Sequence, residues 1–379
     1  MSLCRRLSRF VCRFIAATLP PSLRPWGEAI RQEVAAIDDD RAAFAFALAG
    51  LRGLAGRGIA FHLVHPFAAS GGSTDMPFDN AIHRPRAMGI ACGIGAVLLG
   101  LAYLGMAGAP WRYLILNAVA LGVGLAALTM LGRVRVARWS GAASMAGAGA
   151  LLATALLGQA VDGAARWVSL GGLSLQPSLV LLPAMIAGYA RVRTPLASGA
   201  MLVAAFAMAL QPDRAMAGML ALGLGAVAWV RPGWPERLVA LAASVAFAAT
   251  LAMPDALPAV PFVDQVLWSA FAVHPAAGVM VLGGAALLLL PAVIGLRSDP
   301  DHRAVYAVFG LIWSAAILAA ALGNYPTPVV GYGGSAVLGY LLSLAMLPKV
   351  AAPLPLAVDG VPVASGRGVD PHRRVAALA

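Results

Sequence analysis

The sequence predicts an all-α fold: a polytopic membrane helix bundle of about ten transmembrane helices behind a helical N-terminal extension. Three observations predict it. The 379-residue chain is 60% hydrophobic and 11% charged, whereas a soluble globular domain carries about 25% charged residues. Apolar runs, most of them long enough to cross a hydrocarbon core of roughly 30 Å, recur from residue 87 to residue 348. The arginines between those runs gather at one side, as the positive-inside rule requires.

Residues 1–65 make the extension. Over 3–19, Leu3, Leu7, Phe10, Phe14 and Ile15 recur at helical spacing against Arg5, Arg6, Arg9 and Arg13. That pattern predicts a basic amphipathic helix suited to the inner membrane surface. Its arginines interrupt every apolar stretch, so it does not read as a secretory signal. Pro20-Pro21 ends it. A second helix opens at Pro25-Trp26, and Asp38-Asp39-Asp40 is placed to cap a third over 41–64. The third is apolar but carries Arg52 and Arg57, each costing about 2.5–3.5 kcal/mol at a bilayer centre. A span there would also invert the arginine bias of every later loop, so the segment reads as interfacial or cytoplasmic. Residues 66–86 read as a linker and 349–379 as a disordered cytoplasmic tail.

The ten runs of the membrane domain, 87–348, are 87–107, 111–131, 140–161, 175–190, 195–211, 214–230, 237–253, 276–296, 304–323 and 328–347. With the N-terminus inside, cytoplasmic loops hold Arg133, Arg135 and Arg138, then Arg191 and Arg193, Arg231 and Arg237, Arg297 and Arg303, with Lys349 after the last run. The outer loops hold Arg112, Arg166 and Arg214. The formal charge of +11 is thus a topology signal with some attraction for anionic lipid, and it does not indicate nucleic acid. The runs are rich in Ala and Gly, which fits either close helix packing or a GC-rich coding sequence. Cys4, Cys12 and Cys92 are not paired in an oxidising compartment, so no disulfide is expected. No metal-ligating cluster or cofactor motif is evident.

Any chemistry on the outer face must draw on few groups. The carboxylates there are Asp162, Asp213, Asp255 and Asp264. Arg166 beside Trp167 fits a diphosphate and a sugar ring, or equally a snorkelling Arg with an interfacial Trp. Asp213 beside Arg214 reads either as part of a site or as a solvated pair. Gln176, Pro177 and Ser178, and Gln211 and Pro212, stand at helix ends, where they either bind an anion or cap in the ordinary way. Gly331, Gly333 and Gly334, around Tyr332 and before Ser335, permit close backbone approach or a broken helix start.

These segments carry a family resemblance. The stretch Gly163–Ser178, GAARWVSLGGLSLQPS, resembles the GARRWI-LG---QPSE signature of the SEDS family, the FtsW/RodA/SpoVE proteins of bacterial cell-wall synthesis. Leu210-Gln211-Pro212-Asp213 is similar to the family's QPDLGT, and Gly331-Tyr332-Gly333-Gly334-Ser335, after Pro326-Thr327, to LGLLPT followed by SYGGSS. Leu257-Pro258 with Asp264 is similar to LPE-HTDFIF. The resemblance covers about residues 87–348. It implies a multi-pass protein of the bacterial inner membrane, with both termini cytoplasmic, that polymerises lipid II, an undecaprenyl-diphosphate-linked disaccharide, on the outer face. It implies Asp264 as general base, and Arg166, Trp167, Gln176, Ser178, Gln211, Asp213, Tyr332, Gly333, Gly334 and Ser335 as substrate-binding positions. It also implies a class B penicillin-binding protein, a transpeptidase, as partner.

The chain departs from the family pattern at charged positions. Ala165 replaces the first Arg of GARRW, Leu179 replaces the Glu of QPSE, and Leu182 stands where a Lys follows. The loop over 254–275 is short, Asp264 aligns only with a one-residue insertion, and His274 has no counterpart. Three functional readings therefore remain open: a divergent glycosyltransferase of cell division or cell shape, a non-catalytic scaffold or regulator of wall-synthesis enzymes, and a flippase for lipid-linked precursors. A transporter would carry charges deep in several spans, and those are nearly absent here.

Overall fold

The computed structural model describes the chain apart from residues 1–4, 6–7, 9–10, 13–23, 51–84, 134–135, 162–163, 171–172, 254–257 and 349–379. Of the 3–19 segment, Arg5, Ser8, Val11 and Cys12 are described and lie in helical backbone. Helix α1 (Arg24–Ala36) follows, then α2 over residues 40–50. Asp39 caps α2: its two carboxylate oxygens accept from the backbone N–H groups of Arg41 and Ala42, each at 3.2 Å. The guanidinium of Arg5 donates to Val34 O and Ile37 O, at 3.2 and 2.7 Å, and so satisfies carbonyls at the end of α1. Cys12, Val34, Ala43 and Ala47 form a small core of their own. The rest of the predicted third helix (51–64), nearly all of the linker and the tail lie outside the described residues.

The membrane domain comprises α3 (Pro85–Met106), α4 (Trp111–Arg133), α5 (Val136–Leu157), β1 (Gln159–Val161), β2 (Ala164–Leu170), β3 (Leu173–Leu175), α6 (Pro177–Arg191), α7 (Pro195–Leu210), α8 (Arg214–Val230), α9 (Trp234–Leu251), α10 (Val266–Val273), α11 (Pro275–Ser298), α12 (Arg303–Leu322) and α13 (Gly334–Met346). Each predicted apolar run holds a helix. Among the described residues, α3, α4, α11 and α12 with its leading turn are long and apolar enough to cross a membrane. α7, α8, α13 and the described apolar part of α5 are shorter. Proline sits in the first turn of α6, α7, α9 and α11, where its missing N–H costs nothing.

Four boundaries differ from the sequence reading. The domain is not purely helical: β1, β2 and β3 form an antiparallel meander, with Gln159 opposite Trp167 and Ser169 opposite Ser174. The Trp-Val pair of β2 suits a pleated surface better than a helix. Residues 266–273 of the predicted 254–275 loop are helical, a stretch cut to eight residues by His274-Pro275. Pro85 opens α3 inside the predicted linker. The run predicted from 328 becomes helical only at Gly334.

The helices alternate in direction, so the bundle has an arginine end and a loop end. Arg193 pairs with Glu236 at the first, at 3.3 Å. At the second, Arg214 in the first turn of α8 donates to Thr250 O and Met253 O at the end of α9. The core is built on Trp313, Tyr189, Tyr306, Tyr340 and Phe309, all fully buried. Their polar tips are satisfied: Trp313 Nε1 donates to Ser343 Oγ, and Tyr340 OH to Leu288 O. The small residues serve close helix packing at some positions and not at others. A Cβ on Gly339 would overlap Leu179 O, so α13 and α6 cross backbone to backbone there. One on Gly149 or Gly225 would meet nothing within 4 Å.

Candidate functional site

The meander and the starts of α6, α8 and α13 draw most of the motif residues into one buried knot at the loop end. Its hub is Asp213, fully buried in the turn between α7 and α8. One carboxylate oxygen caps α8 by accepting from Met216 N at 3.1 Å. The other accepts from Gln176 Nε2 at 2.8 Å and Ser178 Oγ at 3.4 Å. Gln176 N in turn donates to Ser335 Oγ at 3.0 Å, which ties α6 to α13. Arg166 on β2 is 3% exposed and gives an Nη2 hydrogen to Pro212 O. Gln211 donates from Nε2 to Leu151 O at 2.8 Å, fixing the end of α7 to α5.

Asp213 and Arg214 are therefore not a solvated pair. The carboxylate turns into the knot and the guanidinium turns to the α9 carbonyls. Gln176, Ser178, Gln211 and Asp213 are buried and act as caps and cross-ties between helices. Trp167 is half-buried on β2, beside Arg166.

Asp264 belongs to a second assembly. The turn over 260–264 is closed by Val260 O, which accepts from Val263 N and Asp264 N. The Asp264 carboxylate accepts from Val260 N at 2.8 Å. Phe262 and Gln265 adopt left-handed backbone, with φ of 66° and 56°, and so turn the segment sharply toward the 326–332 loop. Val263 O accepts from Thr327 N, Phe262 O accepts from Tyr332 N, and Asp264 bridges to Pro326. Gln265 Nε2 donates to Asn324 Oδ1 at 2.7 Å. Asp264 is half-buried, and that burial pushes its carboxyl above the ordinary carboxylate value, outweighing the Val260 N–H that acts to lower it. His274 is not its partner: its Nδ1 accepts from Ala276 N and caps α11. Asp162 and Asp255 lie outside the described residues.

The segment from Pro326 to Ser335 joins the two assemblies, docked on Asp264's turn at one end and on Gln176 at the other. Its middle is held by Asn117, a residue the motif reading missed. Asn117 is fully buried in α4, donates to Gly331 O at 2.9 Å, and accepts from Gly333 N at 3.1 Å. An amide inside an otherwise apolar span is costly unless it is bonded, and that signal was present in the 111–131 run. Tyr332 stacks on Tyr113, with ring centroids 3.8 Å apart, and Phe262 meets Tyr113 edge-on. Gly334 sits against Ala120, where a Cβ would come within 3.1 Å.

Beside this clasp lies a groove of about 540 Å³. Gln265, Asn324, Tyr325 and Arg214 rim it, and Met219, Leu222, Phe247, Leu251 and Leu318 are among its apolar walls. It is an amphipathic cleft, polar at the loop end and apolar along the helices. Among the described residues, no group of three or more His, Cys, Asp or Glu side chains is arranged to hold a metal ion.

No protein-family model and no curated protein sequence matches the chain. Solved structures do. An aspartate-to-alanine variant of the Rod shape determining protein RodA of Thermus thermophilus aligns with a TM-score of 0.51 and 23% identity, over 67% of this chain and 93% of that one. The same RodA without the substitution gives 0.49 and 23%, over 67% and 92%. A chain of a peptidoglycan synthase complex, studied for the coordination of polymerization and crosslinking, gives 0.46 and 24%, over 67% and 94%. At this identity the likeness is one of fold: the chain is a multi-pass membrane protein with the helical architecture of RodA, a SEDS protein.

Proposed function

We propose that the chain acts in peptidoglycan assembly, in cell division or cell shape, as a SEDS-like protein that polymerises lipid II with Asp264 as general base. The observation that supports this reading most is the Asp264 carboxylate. It is half-buried, raised above its ordinary pKa, bonded to a single backbone N–H among the described residues, and one residue from the rim of an amphipathic groove. A carboxylate with a raised pKa is a stronger base, and an unassisted sugar hydroxyl is a weak nucleophile.

In this reading the groove takes the polyprenyl chain along its apolar walls, with the diphosphate near Arg214. Asp264 accepts the proton of the acceptor sugar's 4-hydroxyl. That oxygen forms a bond to the donor's anomeric carbon. The bond from that carbon to the diphosphate oxygen breaks, and undecaprenyl diphosphate leaves with the electron pair. Arg166, Gln176, Ser178, Asp213 and Ser335 are positioning residues that hold the helix starts around the site. By the same resemblance, the partner is a class B penicillin-binding protein.

A specific observation favours the scaffold as a second reading. Ala165, Leu179 and Leu182, which stand where the family signature carries charges, are all closed into the core at 8%, 4% and 0% exposure. Lipid II polymerisation by the purified protein, alone and with a transpeptidase partner, separates the two. Glycan strands from wild type and none from Asp264→Asn support the base. Equal strands from both overturn it, and no product under any condition favours the scaffold.

A further inference from the structure

The arginine end of the bundle holds a charge arrangement that the proposed chemistry does not use. Arg86 lies in the first turn of α3 and Arg191 in the last turn of α6. Both are half-buried. They flank the same place, the end of α13. A Cβ on Gly89 would overlap Leu344, so the second turn of α3 is pressed against the last turn of α13. Arg191 Nη1 reaches Met346 O at 3.4 Å, two residues further along. Two like charges thus lie beside one helix end.

Among the described residues, neither is in an ion pair with a carboxylate. Among the described residues, Arg86 makes no hydrogen bond or ion pair, and Arg191 gives one hydrogen to a backbone carbonyl. Of the described acidic groups at this end, Asp301 is exposed and two others are engaged. Glu236 pairs with Arg193 at 3.3 Å. Asp299 holds His302 at 3.0 Å and accepts from Tyr306 OH at 3.0 Å. Arg86 also lies at the positive end of its own helix dipole, where a cation is disfavoured. Two half-buried guanidiniums and a helix N-terminus thus converge with one sign of charge, and among the described residues most of their donors are unused. That is the arrangement a phosphate group satisfies, because each guanidinium offers a planar fork to its oxygens.

We propose that Arg86 and Arg191, at the N-terminus of α3, form a binding site for a phosphate group at the arginine end of the bundle. An anionic phospholipid headgroup and a soluble phosphate are the two sources of that chemistry. Basic clefts between helices on the cytoplasmic side are suited to the first.

The full chain in phosphatidylcholine nanodiscs provides the test, with phosphatidylglycerol titrated into the discs in one arm and inorganic phosphate into the buffer in the other. Bound lipid is read by native mass spectrometry, and thermal stability is read in both arms. Wild type should retain phosphatidylglycerol over phosphatidylcholine and melt higher with it. Arg86→Gln and Arg191→Gln should each weaken retention about fivefold, the equivalent of about 1 kcal/mol per arginine. Arg297→Gln, an exposed charge at the same end, should leave it near wild type. Stabilisation by buffer phosphate without any lipid effect would assign the site to a soluble ligand. Because removing one charge relieves repulsion, both Gln variants should melt no lower than wild type in phosphatidylcholine alone, which shows that they fold. Equal phosphatidylglycerol retention by wild type and the double variant overturns the proposal, as does a wild type indifferent to both ligands.

Discussion

Asp264 and Asp213 are carboxylates of opposite kind, and single substitutions tell them apart. Burial raises the Asp264 carboxyl above its unfolded value, so the fold prefers the protonated form. The stability this contributes is whole below the ordinary carboxylate pKa and is lost as pH rises through the raised value. Asn carries no charge at any pH and keeps a carbonyl for Val260 N. Asp264→Asn should therefore melt no lower than wild type at neutral pH, while glycan synthesis falls by about 10²–10⁴-fold. Thermal melts from roughly pH 4 to pH 8, run beside lipid II polymerisation, check both halves. In wild type the acid limb of the rate profile should lie above the ordinary Asp value. Asp213→Ala does the reverse. It strands Gln176 Nε2, Ser178 Oγ and Met216 N in a dry site, a cost on the order of 3 kcal/mol, and lowers the melting temperature in detergent before any effect on chemistry is read.

Where helices cross, the spacing of backbones is the controlling quantity, and glycines separate two cases. Gly339→Ala places a methyl against Leu179 O and must drive α13 off α6, so it should lower the melting temperature and loosen the Gln176–Ser335 tie above it. Gly225→Ala in α8 meets open space and should be neutral, or stabilising by about 0.5–1 kcal/mol. Parallel thermal scans of the two variants decide the matter. The same elements show what the sequence disclosed. Apolar runs located most of the helices to within a few residues, the start of α13 excepted, because exclusion of polar groups from lipid leaves a one-dimensional signal. The Asp39 cap was legible for the same local reason. The meander and α10 were not, since two three-residue strands around a single seven-residue one, and an eight-residue helix, are too short to set a periodicity apart from the long apolar runs beside them. The motif residues were found, but their partners were not. Whether Gln176 faces a ligand or Asp213 depends on how α6 and α8 meet, and that contact spans 37 positions of chain.

At the scale of the whole bundle, the two ends divide the charge. Arginines with their few acidic partners gather at one end, while the knot, the Asp264 clasp and the groove's polar rim gather at the other. A lipid-linked sugar can be polymerised outside the cell only if the loop end faces out. The membrane potential and anionic inner leaflet favour the arginine end inside. Exposed Arg112, at the start of α4, and exposed Arg297, at the end of α11, mark the two ends. Arg112→Cys and Arg297→Cys, each made in a background lacking Cys4 and Cys12, should respond oppositely to a membrane-impermeant maleimide on intact cells. Cys92, the remaining native thiol, is buried in α3 and stays silent. Labelling at 112 and protection at 297, with both labelled after permeabilisation, places Asp264 and the groove on the outer face. The opposite pattern would put the groove on the side where lipid-linked precursors are made, and Asp264 could not then serve a polymerase of the outer face.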